Sequence, residues 1–258
     1  MTDIRKHNRE AWDKWVDNHV EWTIPVDATI IEHARKGEWE IYLTEIRPVP
    51  RRWFPPLANL DVLCLASGGG QQGPVLSAAG ANVTVFDNSP KQLDRDRSVA
   101  QKHALNLQTV EGDMRDLSVF ADEAFDLIVH PVSNIFVPDV RVVWKEAYRV
   151  LRAGGRIMSG LMNPIEYIFS KPALDAGRFE VKYALPYSDL DDMSESERIT
   201  AFGENEPLEW SHTFEDQLGG QIDAGFVIIG FYEDYRKTSV VKVFFPSYMA
   251  TLAQKPKQ

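Results

Sequence analysis

Three glycines, Gly68, Gly70 and Gly73, stand in the run CLASGGGQQGP at 64–74, directly after a short apolar stretch. Glycines so spaced let a backbone approach a ligand where a side chain would block it. A helix opening behind the loop would offer free amide groups to a carboxylate or phosphate. Read literally, the run is G-x-G-x-x-G, the pattern of a pyrophosphate-binding turn. Asp87 lies 19 positions after Gly68, at the end of the next apolar run. A carboxylate there can accept two hydrogen bonds from ribose hydroxyls, in a dinucleotide or in any other adenosine-bearing cofactor. Asp113 of EGDMRDL adds an acceptor for an adenine amino group, with Met114 beside it to pack on the ring.

The surrounding text supplies elements to hold these groups. DVLCLA, NVTVFD, LQTVEGD, FDLIVHP and GGRIMSGLM read as buried strands. Between them GPVLSAAG, SPKQLDRDRSVAQKHAL and DVRVVWKEAYRVLRAGG read as helices. The second of these opens on Ser89, Pro90 and Gln92 in capping-box order, and the third presents Val143, Ala147, Val150 and Leu151 on one face before Gly154 and Gly155 stop it. Alternating strands and helices predict a parallel sheet covered on both faces, with ligands at the carboxyl ends of the strands where strand order reverses. TFEDQLGGQIDAG reads as a further helix, and FVIIGFYEDY and SVVKVFFPSY as two last strands. RKTS between them is too short for a crossover helix, so this pair is expected to be antiparallel. The fold class is therefore α/β, a doubly wound, mostly parallel seven-stranded sheet with helices on both faces and a C-terminal antiparallel hairpin.

Flanking segments divide the chain further. Residues 1–59 read as a helical lid and connector: NREAWDKWVDNHV places Trp12, Trp15, Val16 and His19 at helical spacing, a second helix spans about 27–36, and RPVPRRWFPPL is extended because of its prolines. Residues 60–162 form the cofactor-binding core. Residues 163–213 interrupt the rhythm with aromatics among acids and are read as an insertion over the substrate site. Residues 214–258 complete the core.

With strand-end acid, Gly-Asp-Met and Arg-Val-Leu-x-x-Gly-Gly in that order, residues 60 to about 162 resemble the class I S-adenosylmethionine-dependent methyltransferases, in the branch that methylates small molecules. The resemblance implies a Rossmann-like methyltransferase fold and S-adenosylmethionine as cofactor. It implies that Ala66, Ser67, Gly68 and Gly70 hold the methionine part, with Gln72 assisting. It puts Asp87 at the ribose with Asn88 beside it, Asp113 and Met114 at the adenine, and His130, Pro131 and Val132 along the sulfonium. Cys64 and Ala66 depart from the family's usual acid and first glycine. His130 and Asn134 are candidate catalytic groups, and Tyr183, Tyr187, Glu166 and His212 are further acid–base or acceptor-binding candidates.

Composition narrows the partners. A net charge of −10 disfavours a phosphate-backbone substrate, whose binding needs clustered Lys and Arg. HPVS at 130–133 lacks the Asn/Asp-Pro-Pro-aromatic pattern of enzymes that methylate exocyclic amines in nucleic acid. A small-molecule acceptor is expected, with no nucleic acid and no membrane partner, in a monomer or homodimer. One cysteine, no signal-peptide pattern and no apolar run of the roughly 18–20 residues a span requires point to a cytoplasmic protein; no cluster has metal-ligand spacing, so no metal is expected. An NAD(P)-dependent oxidoreductase, supported by the literal G-x-G-x-x-G, and a non-catalytic S-adenosylmethionine-binding regulatory module are the alternative readings.

Overall fold

A computed structural model describes residues 3–257. Seven strands form one sheet: β1 Asp61–Leu65, β2 Asn82–Asp87, β3 Leu107–Glu111, β4 Phe125–His130, β5 Leu151–Met162, β6 Val227–Asp234 and β7 Tyr248–Gln254. Their spatial order is β3-β2-β1-β4-β5-β7-β6, with β7 antiparallel to both neighbours and the other pairs parallel. Strands β2 and β3 are laid down on one side of β1 and β4 on the other, so the order reverses at the β1–β4 boundary. That is where the carboxyl ends leave a crevice.

The helices are α1 Ile4–Asp17, α2 Ala28–Arg35, α3 Gln72–Ala78, α4 Pro90–His103, α5 Val140–Val150, α6 Lys171–Asp175, α7 Glu195–Phe202 and α8 Gly220–Asp223, the last entered through a π-helical turn, Glu215–Gly219. One apolar cluster joins Val62, Cys64, Val75, Leu76, Val83, Val85 and Leu93. The opposite face of the sheet packs Leu63, Leu65, Phe86, Ile128 and Ile157 against Val140, Val143, Trp144, Ala147 and Val150 of α5. Strands covered on both faces read as continuous apolar runs, which is why β1, β2 and β4 are legible without alternation.

Three sequence expectations need correction. Helix α1 stops at Asp17, and His19, in the left-handed region at φ 55°, is exposed and not part of its packed face. Helix α5 ends at Val150, and Leu151 already starts β5, because Arg152 is drawn to Asp61 and Asp126 (3.0 and 2.8 Å) along the neighbouring strands. The last strand is Tyr248–Gln254, not 239–248; Val240–Val243 is a 3-10 turn with Val243 and Phe244 exposed. The β6–β7 connection is thus longer than RKTS, and the antiparallel outcome holds because β7 inserts between β5 and β6.

Candidate active site

The loop after β1 is shaped by what lies beneath it. Asp87, closing β2, accepts from the Gly68 amide through Oδ2 and from the Ser89 amide through Oδ1, both at 2.9 Å. A Cβ on Gly68 would lie 2.8 Å from Gln92 Cβ and 3.1 Å from the Asp87 carboxyl, so only glycine lets the loop sit this low. Asp96 of α4, fully buried, accepts from the Gly69 amide at 2.9 Å. Ala66 stands where the resemblance would put a glycine and adopts φ 46°, the left-handed region that costs an L-residue roughly 1–2 kcal/mol. Gly70 does not reach the cleft wall: its carbonyl accepts from the Val26 amide (2.9 Å), and a Cβ would meet Pro25.

Asp96 is the loop's hidden titratable support. Burial, with the Asp87 charge adding to it, pushes its pKa up to about 8, and its Oδ1 has no partner. A carboxyl raised above its unfolded value binds its proton more tightly in the folded state. Its contribution to stability is complete below the ordinary carboxylate pKa of about 4 and is lost as pH rises through about 8. Urea unfolding of wild type and Asp96→Asn between pH 5 and 9 should therefore show a steeper decline with pH in wild type. Parallel pH profiles would remove Asp96 as the cause.

A cavity of about 910 Å³ opens at the carboxyl ends of β1, β2 and β4, near the upper limit of ordinary small-molecule sites of roughly 300–1,000 Å³. Its wall includes Ala66, Ser67, Gly68 and Gln72, then Asp87 and Asn88, then Gly112, Asp113 and Met114, then Pro131, Val132 and Ser133. Asp113 is oriented by Arg115, whose Nε lies 3.0 and 3.1 Å from its two oxygens. Burial opposes the charge, but these bonds prevail and hold the carboxyl below its usual range. For Asp87 burial dominates, and its pKa is raised.

The N-terminal segment read from sequence as a lid roofs this cavity, together with residues that carried no sequence signal. Helix α1 contributes Arg5, Asn8, Trp12 and Trp15. Arg5 Nε donates to Asn88 Oδ1 (3.1 Å), Ser89 Oγ donates to Asp13 (2.6 Å), and Asn8 donates to the Phe136 and Leu208 carbonyls (3.1 Å each). A strap at 41–47 crosses the sheet end. Leu43, 2% exposed, accepts from the Val132 amide at 3.0 Å, and Asp234 gathers Thr44 Oγ1 and the Ile46 and Arg47 amides at 2.7–2.9 Å. Gln72 donates to the Tyr42 carbonyl (3.1 Å) and accepts from Ser67 Oγ (3.2 Å), tying the strap to the glycine loop. Tyr42, Glu45, Glu209, Arg236 and Tyr248 complete the far end of the wall.

The two catalytic candidates from sequence lie behind this wall. His130 is fully buried; its Nδ1 donates to the Leu65 carbonyl (2.9 Å), its ring meets Trp144 edge-on at 5.9 Å, and burial pushes its pKa down to about 4. Asn134 is fully buried too, and its carbonyl accepts from His212 Nε2 at 2.9 Å. Both sit beside the cavity and do not line it. Glu166, Tyr183 and Tyr187 border a neighbouring cavity, and His212 borders neither.

The reversed strand order and a wall of loop, strand-end acid and Gly-Asp-Met together define an α/β transferase with a site for an adenosine-bearing cofactor. A methyltransferase domain family matches residues 63–159. Over 255 residues the chain is 50% identical to the uncharacterized methyltransferase YbaJ of Bacillus subtilis (strain 168), covering 99% of this chain and 100% of that protein. The chloroplastic 2-methyl-6-phytyl-1,4-hydroquinone methyltransferase 1 of Oryza sativa subsp. japonica is 39% identical over 114 residues, 43% of this chain and 33% of that one. A Mesorhizobium loti S-adenosylmethionine-dependent methyltransferase superposes with a TM-score of 0.63 at 20% identity, covering 79% of this chain and 94% of its own. Burkholderia thailandensis 1,6-didemethyltoxoflavin-N1-methyltransferase, with S-adenosylhomocysteine bound, superposes at 0.60 and 14% identity over 99% and 90%. The chain belongs to the class I S-adenosylmethionine-dependent methyltransferases, and S-adenosylmethionine is its cofactor. Neither alternative reading of the glycine loop gains support. Among the described residues no helix is long and apolar enough to cross a membrane.

Proposed function

We propose that this protein transfers a methyl group from S-adenosylmethionine to a small-molecule acceptor by in-line displacement, in the cytoplasm. The observation carrying the proposal is the roofed cavity of about 910 Å³, whose cofactor-side wall is drawn from four separate strand ends and whose far end is walled by α1, the strap and Arg236. In this reading Ala66, Ser67, Gly68 and Gln72 surround the methionine part and Asp87 accepts from the ribose hydroxyls with Asn88 alongside. Asp113 and Met114 hold the adenine, and Pro131 and Val132 border the sulfonium. The chemistry fits: carboxylate oxygens already holding one amide each retain a lone pair for a hydroxyl.

The bound sulfonium supplies an already electrophilic methyl group. What the chain supplies is position: a near-attack arrangement can contribute about 7–11 kcal/mol at best. Trp12 and Trp15 on the roof exclude water, and the acceptor end carries Glu209, in place of His130 and Asn134, as the group able to take an acceptor proton, with Tyr248 and Arg236 beside it as hydrogen-bond donors. A roof of helix and strap leaves a chamber and not a groove, which favours a small acceptor over a polymer.

The test is calorimetric titration with S-adenosylmethionine and with NADH, followed by turnover against a metabolite panel. S-adenosylmethionine should bind and NADH should not, and S-adenosylhomocysteine should be released in proportion to one class of acceptor. Release only with protein or nucleic acid would overturn the small-molecule reading.

A further inference from the structure

A second cavity, about 630 Å³, lies on the far side of Trp15, Glu209 and Arg236, which border both chambers. The insertion supplies most of its wall. Tyr187 stacks on Tyr167 (5.4 Å between ring centroids) and touches Tyr183 (5.0 Å), so one side is a bank of aromatic rings. The polar groups among those rings are mainly acidic. Glu209 accepts from the Tyr167 hydroxyl at 2.7 Å, and Asp189 accepts from the Tyr187 hydroxyl at 2.5 Å and from the Glu209 amide at 2.8 Å. Glu166, whose side chain is 9% exposed, borders the cavity with an Oε1 that has no hydrogen-bond partner.

One guanidinium, on a side chain 37% exposed, stands against these acids. Arg236 Nε is 3.3 Å from Glu166 Oε2 and its Nη1 is 3.8 Å from Glu45 Oε1, with Tyr248 under the guanidinium at 5.4 Å. Its Nε makes no hydrogen bond, and Glu45, Glu166 and Glu209 outnumber it; Lys171, which also lines the cavity, is paired with Asp175 at 2.6 Å. Burial, then the Asp189 charge, lifts Glu209 to about 7. Aromatic faces beside uncompensated carboxylates are the two features that recognise an organic cation.

We propose that this second cavity binds the methyl acceptor and that the acceptor is a cationic amine with an apolar body. This rests on the small-molecule reading above and deepens it: Glu166 and the tyrosine bank hold the ammonium as a handle, a different, lone-pair-bearing atom of the acceptor takes the methyl as its bond to the sulfonium breaks and S-adenosylhomocysteine leaves, and the proton displaced from that atom goes to Glu209 on the wall the two cavities share.

The test uses protein saturated with S-adenosylhomocysteine, so that the cofactor cavity is filled, and titrates three isosteric probes by calorimetry: 2-phenylethylamine, 2-phenylethanol and phenylacetate. The amine should bind about tenfold or more tightly than either of the others. Glu166→Gln should cut that preference to about threefold or less while leaving S-adenosylhomocysteine affinity unchanged. Glu209→Gln should cut the preference likewise, and the wild-type comparison stands even if either variant fails to fold. No preference for the amine, or a preference for the carboxylate, overturns this proposal while leaving the methyltransferase intact. Loss of S-adenosylhomocysteine binding in the wild type would strike the cofactor-site reading instead.

Discussion

Asp87→Ala is expected to weaken S-adenosylmethionine binding by about 100-fold or more while leaving a folded protein. Two charge-assisted hydrogen bonds to ribose, at roughly 1.5–3 kcal/mol each, account for a loss of that size. The same substitution frees the Gly68 and Ser89 amides, each now held at 2.9 Å, so the loop loses its anchor as well as its ligand contact. Helix α4 should survive, because Ser89 Oγ still accepts from the Gln92 amide at 3.1 Å. Calorimetry for affinity and circular dichroism for fold separate the two effects. A dissociation constant within about threefold of wild type would mean that Asp87 is a loop support and no more.

Gly160→Ala should lower the melting temperature by about 6–12 °C. The added Cβ would fall well inside contact distance of the Leu43 carbonyl oxygen and 2.9 Å from the Val132 nitrogen. Both are main-chain atoms, and they are bonded to each other at 3.0 Å. Neither can swing aside as a side-chain tip would. Overpacking at about 1–3 kcal/mol plus a damaged hydrogen bond at about 0.5–1.5 kcal/mol gives roughly 3 kcal/mol, and a domain of this size loses about 2–4 °C per kcal/mol. Because the strap roofs the cleft, affinity for S-adenosylmethionine should fall along with stability. Differential scanning calorimetry decides the point: a shift below about 1 °C would show that the strap floats free of the sheet.

Both experiments probe contacts that join distant parts of the chain, and that is where sequence reading reached its limit. The apolar runs of β1, β2 and β4, the Ser89 cap and Asp27 at the start of α2 were legible because each depends on neighbours within a few residues. Strand β7 was misplaced for the opposite reason. YMATLAQ is buried on both faces between β5 and β6, so it shows no alternation and carries few β-branched residues, while SVVKVFFPSY imitates a strand and turns away at Val240–Val243.

The same division runs through the site. Strand-end position and the family resemblance together named Ala66, Ser67, Gly68, Gln72, Asp87, Asn88, Asp113, Met114, Pro131 and Val132, all of which border one cavity. His130 and Asn134 were named as candidates beside them, and only packing shows them behind the wall. Tyr42, Glu45, Glu209, Arg236 and Tyr248 come from four separate segments with no shared motif, and Asp96 is one of two acids on α4 with nothing to mark it until its burial beneath Gly69 is seen. By itself the sequence determined the wound sheet and the strand-end loops that border the cleft, because hydrophobic periodicity and strand-end position are short-range properties. Only the tertiary structure decided the roof, the acceptor end and the identity of the groups that face it, because those are set by contacts such as Leu43 to Val132 and Asn8 to Leu208, whose partners no local pattern connects.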